Sequence, residues 1–144
     1  MNVAEVMTTN VDSCCPESTC KEVAMKMKEL DVGAVPICDN EKLVGIVTDR
    51  DLVIKGFVND YTPDSTISEL VTDNVVKGNK EMSVEEAVRL MSQHQIRRLP
   101  IVEDDKLVGI VSLGDLAVNH QSTDEAGQAL KNISNPAEPK LSNF

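Results

Sequence analysis

The chain carries two matching apolar runs that end in the same polar signature. Lys42-Leu43-Val44-Gly45-Ile46-Val47 is closed by Thr48, with Asp51 three residues on. Lys106-Leu107-Val108-Gly109-Ile110-Val111 repeats it and is closed by Ser112, with Asp115 three residues on. Nearly unbroken apolar runs bounded by turn signals predict buried strands. Before each lies a shorter apolar run with a proline, Ala34 to Cys38 and Arg98 to Val102. Acidic turns, Asp39-Asn40-Glu41 and Glu103-Asp104-Asp105, join the two runs of each copy. Further upstream, Cys20, Val23, Ala24, Met27 and Val84, Ala87, Val88, Met91 fall at the i, i+3, i+4, i+7 spacing of one buried helical face. Thr19 with Glu22 and Ser83 with Glu86 are capping boxes that start those helices. Brief strands are predicted at Val11–Cys14 and Val75–Lys77, preceded by short apolar-spaced openings, Val3–Met7 and Ile67–Val71. A second helix is predicted to begin at Thr48 or Ser112 and to run to about Gly56 or His120.

A shift of 64 aligns residues 1–52 with 65–116 without a gap. The order strand, helix, strand, strand, helix therefore occurs twice. This is a mixed α/β (α+β) chain with one repeat over residues 1–60 and another over 61–120. Phe57 to Ser65 reads as the linker. Residues 121–144 are predicted to hold a short helix within Thr123–Ile133 and a flexible tail. A unit of about 60 residues is marginal alone, so the two are expected to share one core about a pseudo-two-fold axis.

Composition narrows the function. A net charge of −10 and only three aromatic residues, Phe57, Tyr61 and Phe144, argue against a nucleic-acid surface. No window approaches about 18 apolar residues, and the first residues lack a signal-peptide pattern, so a cytoplasmic, non-membrane protein is expected. Cys14, Cys15, Cys20 and Cys38 have poor spacing for zinc, so no metal site is expected. Cys20 and Cys38 match Val84 and Val102 and are expected in the core. Cys14 and Cys15 match Gly78 and Asn79 at a strand end, where a redox role stays open. His94 matches Leu30 on the mostly buried side of its helix, and His120 ends a helix. No nucleophile–base pair emerges, and no catalytic residue is assigned.

Thr48-x-x-Asp51 and Ser112-x-x-Asp115 admit two readings. Each is a relaxed capping box at a strand-to-helix junction. Each is also a hydroxyl and a carboxylate presented together. Gly45 and Gly109, three residues earlier on otherwise bulky strands, mark close approach of a backbone or a ligand.

Gly-Ile-Val-Thr-Asp-Arg-Asp and Gly-Ile-Val-Ser-Leu-Gly-Asp resemble the nucleotide-binding signature of CBS domains. Ala34-Val35-Pro36-Ile37, Arg98-Leu99-Pro100-Ile101 and the Val-Met-Thr-Thr-Asn-Val opening are similar to that family too, and the resemblance runs from residue 1 to about 120. It implies a tandem pair with two clefts, in which the hydroxyl and Asp take the ribose of an adenosine ligand. A carboxylate suits this, because it accepts from two vicinal hydroxyls at once. The family often has His-Arg before the apolar-Pro strand, to hold phosphates of the opposite unit's ligand. Here Arg97-Arg98 stand in the second copy and Gly33-Ala34 in the first.

The main cleft is therefore expected to comprise Thr48, Arg50, Asp51, Asn74, Val75, Val76, Arg97, Arg98 and Pro100. A weaker second cleft is expected from Asn10, Val11, Ala34, Pro36, Ser112 and Asp115. The bland alternative for Arg97 and Arg98 is a solvated pair near Glu69 or Asp73, and for Arg50 a local ion pair. The resemblance implies a regulatory module that senses adenine nucleotides (AMP, ADP or ATP), with no obligatory cofactor, and the roughly 24 residues after the second repeat are too few for an enzyme domain, so none is expected. The resemblance also implies a homodimer, with Leu52, Val53, Leu116 and Ala117 as candidate dimer residues or, equally, as internal packing. A protein target is an open possibility. The alternatives are a partner-binding protein with degenerate clefts and a binder of S-adenosylmethionine or another adenosyl ligand.

Overall fold

The computed structural model describes residues 1–118, 127 and 130–133. Its elements keep the 64-residue repeat. Helix α1 spans Cys20–Leu30, strand β1 Ala34–Asp39, strand β2 Lys42–Thr48 and helix α2 the single turn Asp49–Asp51. Strand β3 spans Gly78–Asn79, helix α3 Val84–His94, strand β4 Arg98–Glu103, strand β5 Lys106–Ser112 and helix α4 Leu113–Val118. The backbone repeats as well. Left-handed conformations occur in pairs 64 apart, at Asn10 and Asn74, Asp31 and Gln95, Asn40 and Asp104, and Glu41 and Asp105.

The predicted helices form where the caps stand. Thr19 Oγ1 accepts from the Glu22 amide and Ser83 Oγ from the Glu86 amide, each at 3.1 Å. Both helices end in a left-handed residue, Asp31 or Gln95, a position that non-glycine residues tolerate poorly. Replacing Thr19 or Ser83 by alanine is expected to cost about 1 kcal/mol each in urea unfolding, because one amide donor loses its partner.

The chain divides into two compact units that differ from the sequence repeats. One comprises Met1–Asn10, Val76–Glu103 and the chain from Val108; the other comprises Val11–Val75 and Asp104–Leu107. Each unit thus takes its opening segment from the other copy. In the first, Asn2 bridges Ser83 and Thr8 bridges Ile110. In the second, Thr66 bridges Thr19 and Thr72 bridges Ile46.

This exchange corrects the expectation of one shared core. Each unit has its own apolar cluster, completed by the borrowed segment. Val3 lies fully buried with Val84, Ala87, Met91, Leu99, Ile101, Val111 and Leu116. Ile67 and Leu70 lie buried with Val23, Met27, Val35, Ile37 and Val47. A borrowed apolar segment enlarges a core that about 50 residues alone would leave marginal.

In the second unit β1 and β2 form an antiparallel hairpin, with Ala34 opposite Thr48 and Lys42 opposite Lys106. The register slips between Ile37 and Cys38, leaving Val44 as an extra residue on β2. In the first unit β3 pairs parallel with β4, and β5 flanks β4 on its other side.

Several expectations need adjustment. The strand predicted at Val75–Lys77 lies at Gly78–Asn79, and the one at Val11–Cys14 reduces to a single parallel bridge from Cys14 to Ile37. The second helix of the first copy is not uniformly α. After Asp51 it widens into a π-helical stretch, Leu52–Gly56, then tightens into a 3-10 turn, Phe57–Asn59, within the expected linker. His94 is exposed, because α3 ends there and turns away at Gln95. Cys20 packs partly against its core, whereas Cys38 is only half-buried. Cys38, one residue before the end of β1, lines an open groove of about 590 Å³ together with Ser13, Cys14, Cys15 and Ser18. Burial holds the thiols of Cys14, Cys20 and Cys38 above their ordinary pKa. Of the expected Thr123–Ile133 helix, Gly127 and residues 130–133 are helical. His120 and the tail from Ser134 lie outside the described residues. Among those described, no helix is long and apolar enough to cross a membrane.

Candidate functional site

Each apolar strand delivers its hydroxyl to the N-terminus of the next helix, and the capping reading holds in full. In the second unit, the Thr48 amide donates to Asp51 Oδ2 at 2.9 Å, and the Asp51 amide donates to Thr48 Oγ1 at 3.1 Å. In the first, the Ser112 amide donates to Asp115 Oδ2 and the Asp115 amide to Ser112 Oγ, both at 3.0 Å. Reciprocal bonds of this kind fix the carboxylate's position without using both of its oxygens. The cap is therefore compatible with a binding role. A carboxylate held through one oxygen by a single peptide amide still presents its other oxygen as an acceptor.

The junction is braced from behind. The Asp49 amide donates to the Gly33 carbonyl at 2.9 Å, and the Leu113 amide donates to the Arg97 carbonyl at 3.1 Å. The residue before each apolar-Pro strand thus sits at the start of its own copy's second helix. Arg97 and Arg98 are both exposed.

Gly45 and Gly109 have a packing explanation. A Cβ at Gly45 would lie 2.1 Å from Val71 Cγ1 and 2.6 Å from the Thr72 carbonyl oxygen. One at Gly109 would lie 2.6 Å from Met7 Sδ and 3.1 Å from the Thr8 carbonyl oxygen. The close neighbour in both cases is the borrowed opening segment, which pairs with the strand at the next residue, Ile46 or Ile110. Close approach of the opening segment, backbone and side chain, accounts for both glycines.

Asn10 and Asn74 hold φ of 57° and 54°, directly before Val11 and Val75. Asparagine tolerates this region better than most residues, and such conformations cluster where a backbone is set for a task.

The expected cleft residues fall in both units. Thr48, Arg50, Asp51, Asn74 and Val75 belong to the second unit, with Val76, Arg97, Arg98 and Pro100 in the first. Asn10, Ser112 and Asp115 belong to the first, with Val11, Ala34 and Pro36 in the second. Pro36 and Pro100 are buried, while Asp51 and Asp115 are half-buried. Leu116 is fully buried and Leu52 packs against its core, so these two serve internal packing. Val53 is 50% exposed and Ala117 is exposed as well.

Two residues at these sites escaped the sequence reading. Lys55 Nζ lies 3.4 Å from Asp51 Oδ1, a pairing that the i, i+4 rule makes legible. Thr8 Oγ1 donates to Asp115 Oδ2 at 3.5 Å, from a residue 107 positions away, for which the sequence carries no signal.

Comparison with known proteins agrees with this architecture. The CBS domain family matches residues 3–55 and 67–119. The CBS domain-containing protein YhcV of Bacillus subtilis is 47% identical over 133 residues, covering 92% of this chain and 95% of YhcV. The structure of CBSX2 in complex with AMP superposes with a TM-score of 0.71 at 26% identity, over 90% of this chain and 98% of that one. The CBS domain pair of protein MJ0100, in complex with 5′-methylthioadenosine and S-adenosyl-L-methionine, gives 0.71 at 27% identity, over 81% and 93%.

Proposed function

The chain belongs to the CBS domain family as a tandem pair, and on that premise we propose that it is a regulatory module that binds an adenine nucleotide. The observation that carries this reading is the Asp51 carboxylate. Capping fixes it through Oδ2 and leaves Oδ1 as an acceptor for ribose hydroxyls. The AMP complex of a structure 26% identical to this chain supports the ligand class. Thr48 and Asp51 take the ribose. Asn74, Val75 and Val76 line the base, with Pro100 shaping the wall. Arg50, Arg97 and Arg98 serve the phosphates, because paired guanidiniums suit phosphate oxygens. Asn10, Val11, Ala34, Pro36, Ser112 and Asp115 form a weaker counterpart without a cation pair before its strand.

The role is binding rather than catalysis. A ligand held by residues of both copies shifts shape or assembly by its differential affinity for the alternatives. Association of two copies belongs to this reading. Val53, Ile54 and Phe57 of the first copy's second helix are 50%, 49% and 71% exposed, an apolar surface of the sort that marks interaction sites.

Isothermal titration of the full chain with AMP, ADP, ATP and S-adenosylmethionine tests the proposal. A phosphorylated adenosine is expected to bind, and Arg97→Ala or Arg98→Ala to weaken it while hardly affecting adenosine. No heat and no melting shift with any of the four at millimolar concentration overturns the nucleotide reading and favours a partner-binding protein. A second reading, an adenosyl ligand without phosphates, draws on the 5′-methylthioadenosine and S-adenosyl-L-methionine complex of MJ0100. It is supported if S-adenosylmethionine alone gives heat.

A further inference from the structure

The two copies differ at the second oxygen of the motif carboxylate. In the first copy Asp51 has 14% of its side chain exposed, and Lys55 places its ammonium 3.4 Å from Oδ1. That distance is longer than the 2.7–2.9 Å of a committed charge-assisted bond, so the cation stands beside Oδ1 without saturating it. Lys55 is itself 51% exposed. The π-helical stretch that begins at Leu52 carries it. In the second copy, the Thr8 hydroxyl donates to Asp115 Oδ2, the oxygen the cap already uses, and the residue 64 positions after Lys55 is the uncharged Asn119. The motif is therefore repeated, but among the described residues no ion pair like that of Lys55 with Asp51 stands at Asp115.

We infer that Lys55 is a specificity-determining residue of the Thr48/Asp51 site, selecting anionic adenosine ligands over neutral or cationic ones; this rests on the nucleotide reading above. Any group that accepts Asp51 Oδ1 as its partner arrives next to the Lys55 ammonium. A neutral nucleoside must share the oxygen with that cation and offers it nothing in return. A phosphorylated nucleoside supplies a second anion, so the flexible lysine stem can bridge carboxylate and phosphate. A ligand with a sulfonium meets like charge. The Asp115 site lacks this lysine and discriminates less by charge.

The test uses the full chain carrying Asp115→Ala, so that titration reads the Thr48/Asp51 site alone. AMP, adenosine and S-adenosylmethionine are titrated into this protein and into its Lys55→Gln and Lys55→Arg derivatives. Lys55→Gln is expected to lower the AMP-to-adenosine affinity ratio by about tenfold, the scale of one charge-assisted contact. It is also expected to strengthen S-adenosylmethionine relative to AMP. Lys55→Arg retains the ratio of the parent. An unchanged ratio in Lys55→Gln overturns the inference, and so does an equal loss for all three ligands, which marks a general effect on the site. Failure of the nucleotide reading itself looks different, because then the parent does not bind AMP. Circular dichroism and the melting temperature establish that each variant is folded, and the exposed position of Lys55 favours that outcome.

Discussion

Asp51→Ala is expected to raise the dissociation constant for AMP by between about tenfold and a hundredfold. The loss removes hydrogen bonds to a charged acceptor, worth about 1.5–3 kcal/mol, and each 1.4 kcal/mol is a factor of ten. It also breaks the reciprocal cap with Thr48, at a stability cost of about 1 kcal/mol. Asp51→Asn separates the two effects. Its amide oxygen still accepts from the Thr48 amide, so stability is kept, while the charge that holds the ribose is gone. Asp115→Ala loses a matching cap, yet it is expected to change AMP affinity by less than about threefold, because its cleft has no Arg97–Arg98 pair to retain the phosphates. Calorimetric titration of the three variants decides the matter. A larger loss in Asp115→Ala than in Asp51→Ala assigns the main cleft to the other motif.

The second large effect belongs to Gly45. Gly45→Ala places a methyl 2.1 Å from Val71 Cγ1 and 2.6 Å from the Thr72 carbonyl oxygen, which is backbone and bonded to the Ile46 amide. Neither neighbour yields without displacing the borrowed opening segment from β2. A loss of about 3 kcal/mol is expected, the upper part of the range for overpacking. Gly109→Ala is milder, about 1 kcal/mol, because its nearest atoms belong to the unbranched, flexible Met7 side chain. Urea midpoints at constant m-value measure both. Adding Val71→Ala to Gly45→Ala is expected to recover only part of the loss, since the Thr72 carbonyl remains in the way. Equal midpoints for Gly45→Ala and Gly109→Ala contradict this account.

These cases show why the sequence was informative and where it stopped. The hydroxyl caps at Thr19, Thr48, Ser83 and Ser112 depend on residues three apart, and local hydrogen bonding settles them; at Thr48 and Ser112 the carboxylate returns the bond and completes the box. Helices α1 and α3 follow from caps and a 3.6-residue period, and both begin where those signals predict. Cys38 and His94 were misplaced for a shared reason. Each was assigned by its repeat partner, Val102 or Leu30, yet those partners are themselves only half-buried or exposed in the structure. Repeat position carried over the degree of burial in both pairs; what the apolar identity of Val102 and Leu30 could not show is that these positions lie at element ends, where the side chain is left partly open.

The sequence by itself determined the repeat of 64, the order of elements, the helix starts and the two hydroxyl–carboxylate motifs. All of these rest on short-range periodicity and capping. Only the tertiary structure decided which opening segment completes which core, since Val3 with the second copy and Ile67 with the first are long-range choices that no local pattern encodes. It alone showed that Gly45 and Gly109 are small to admit those segments. It also brought Thr8 to Asp115 and set Lys55 beside Asp51, so that two motifs alike in sequence stand in different electrostatic surroundings.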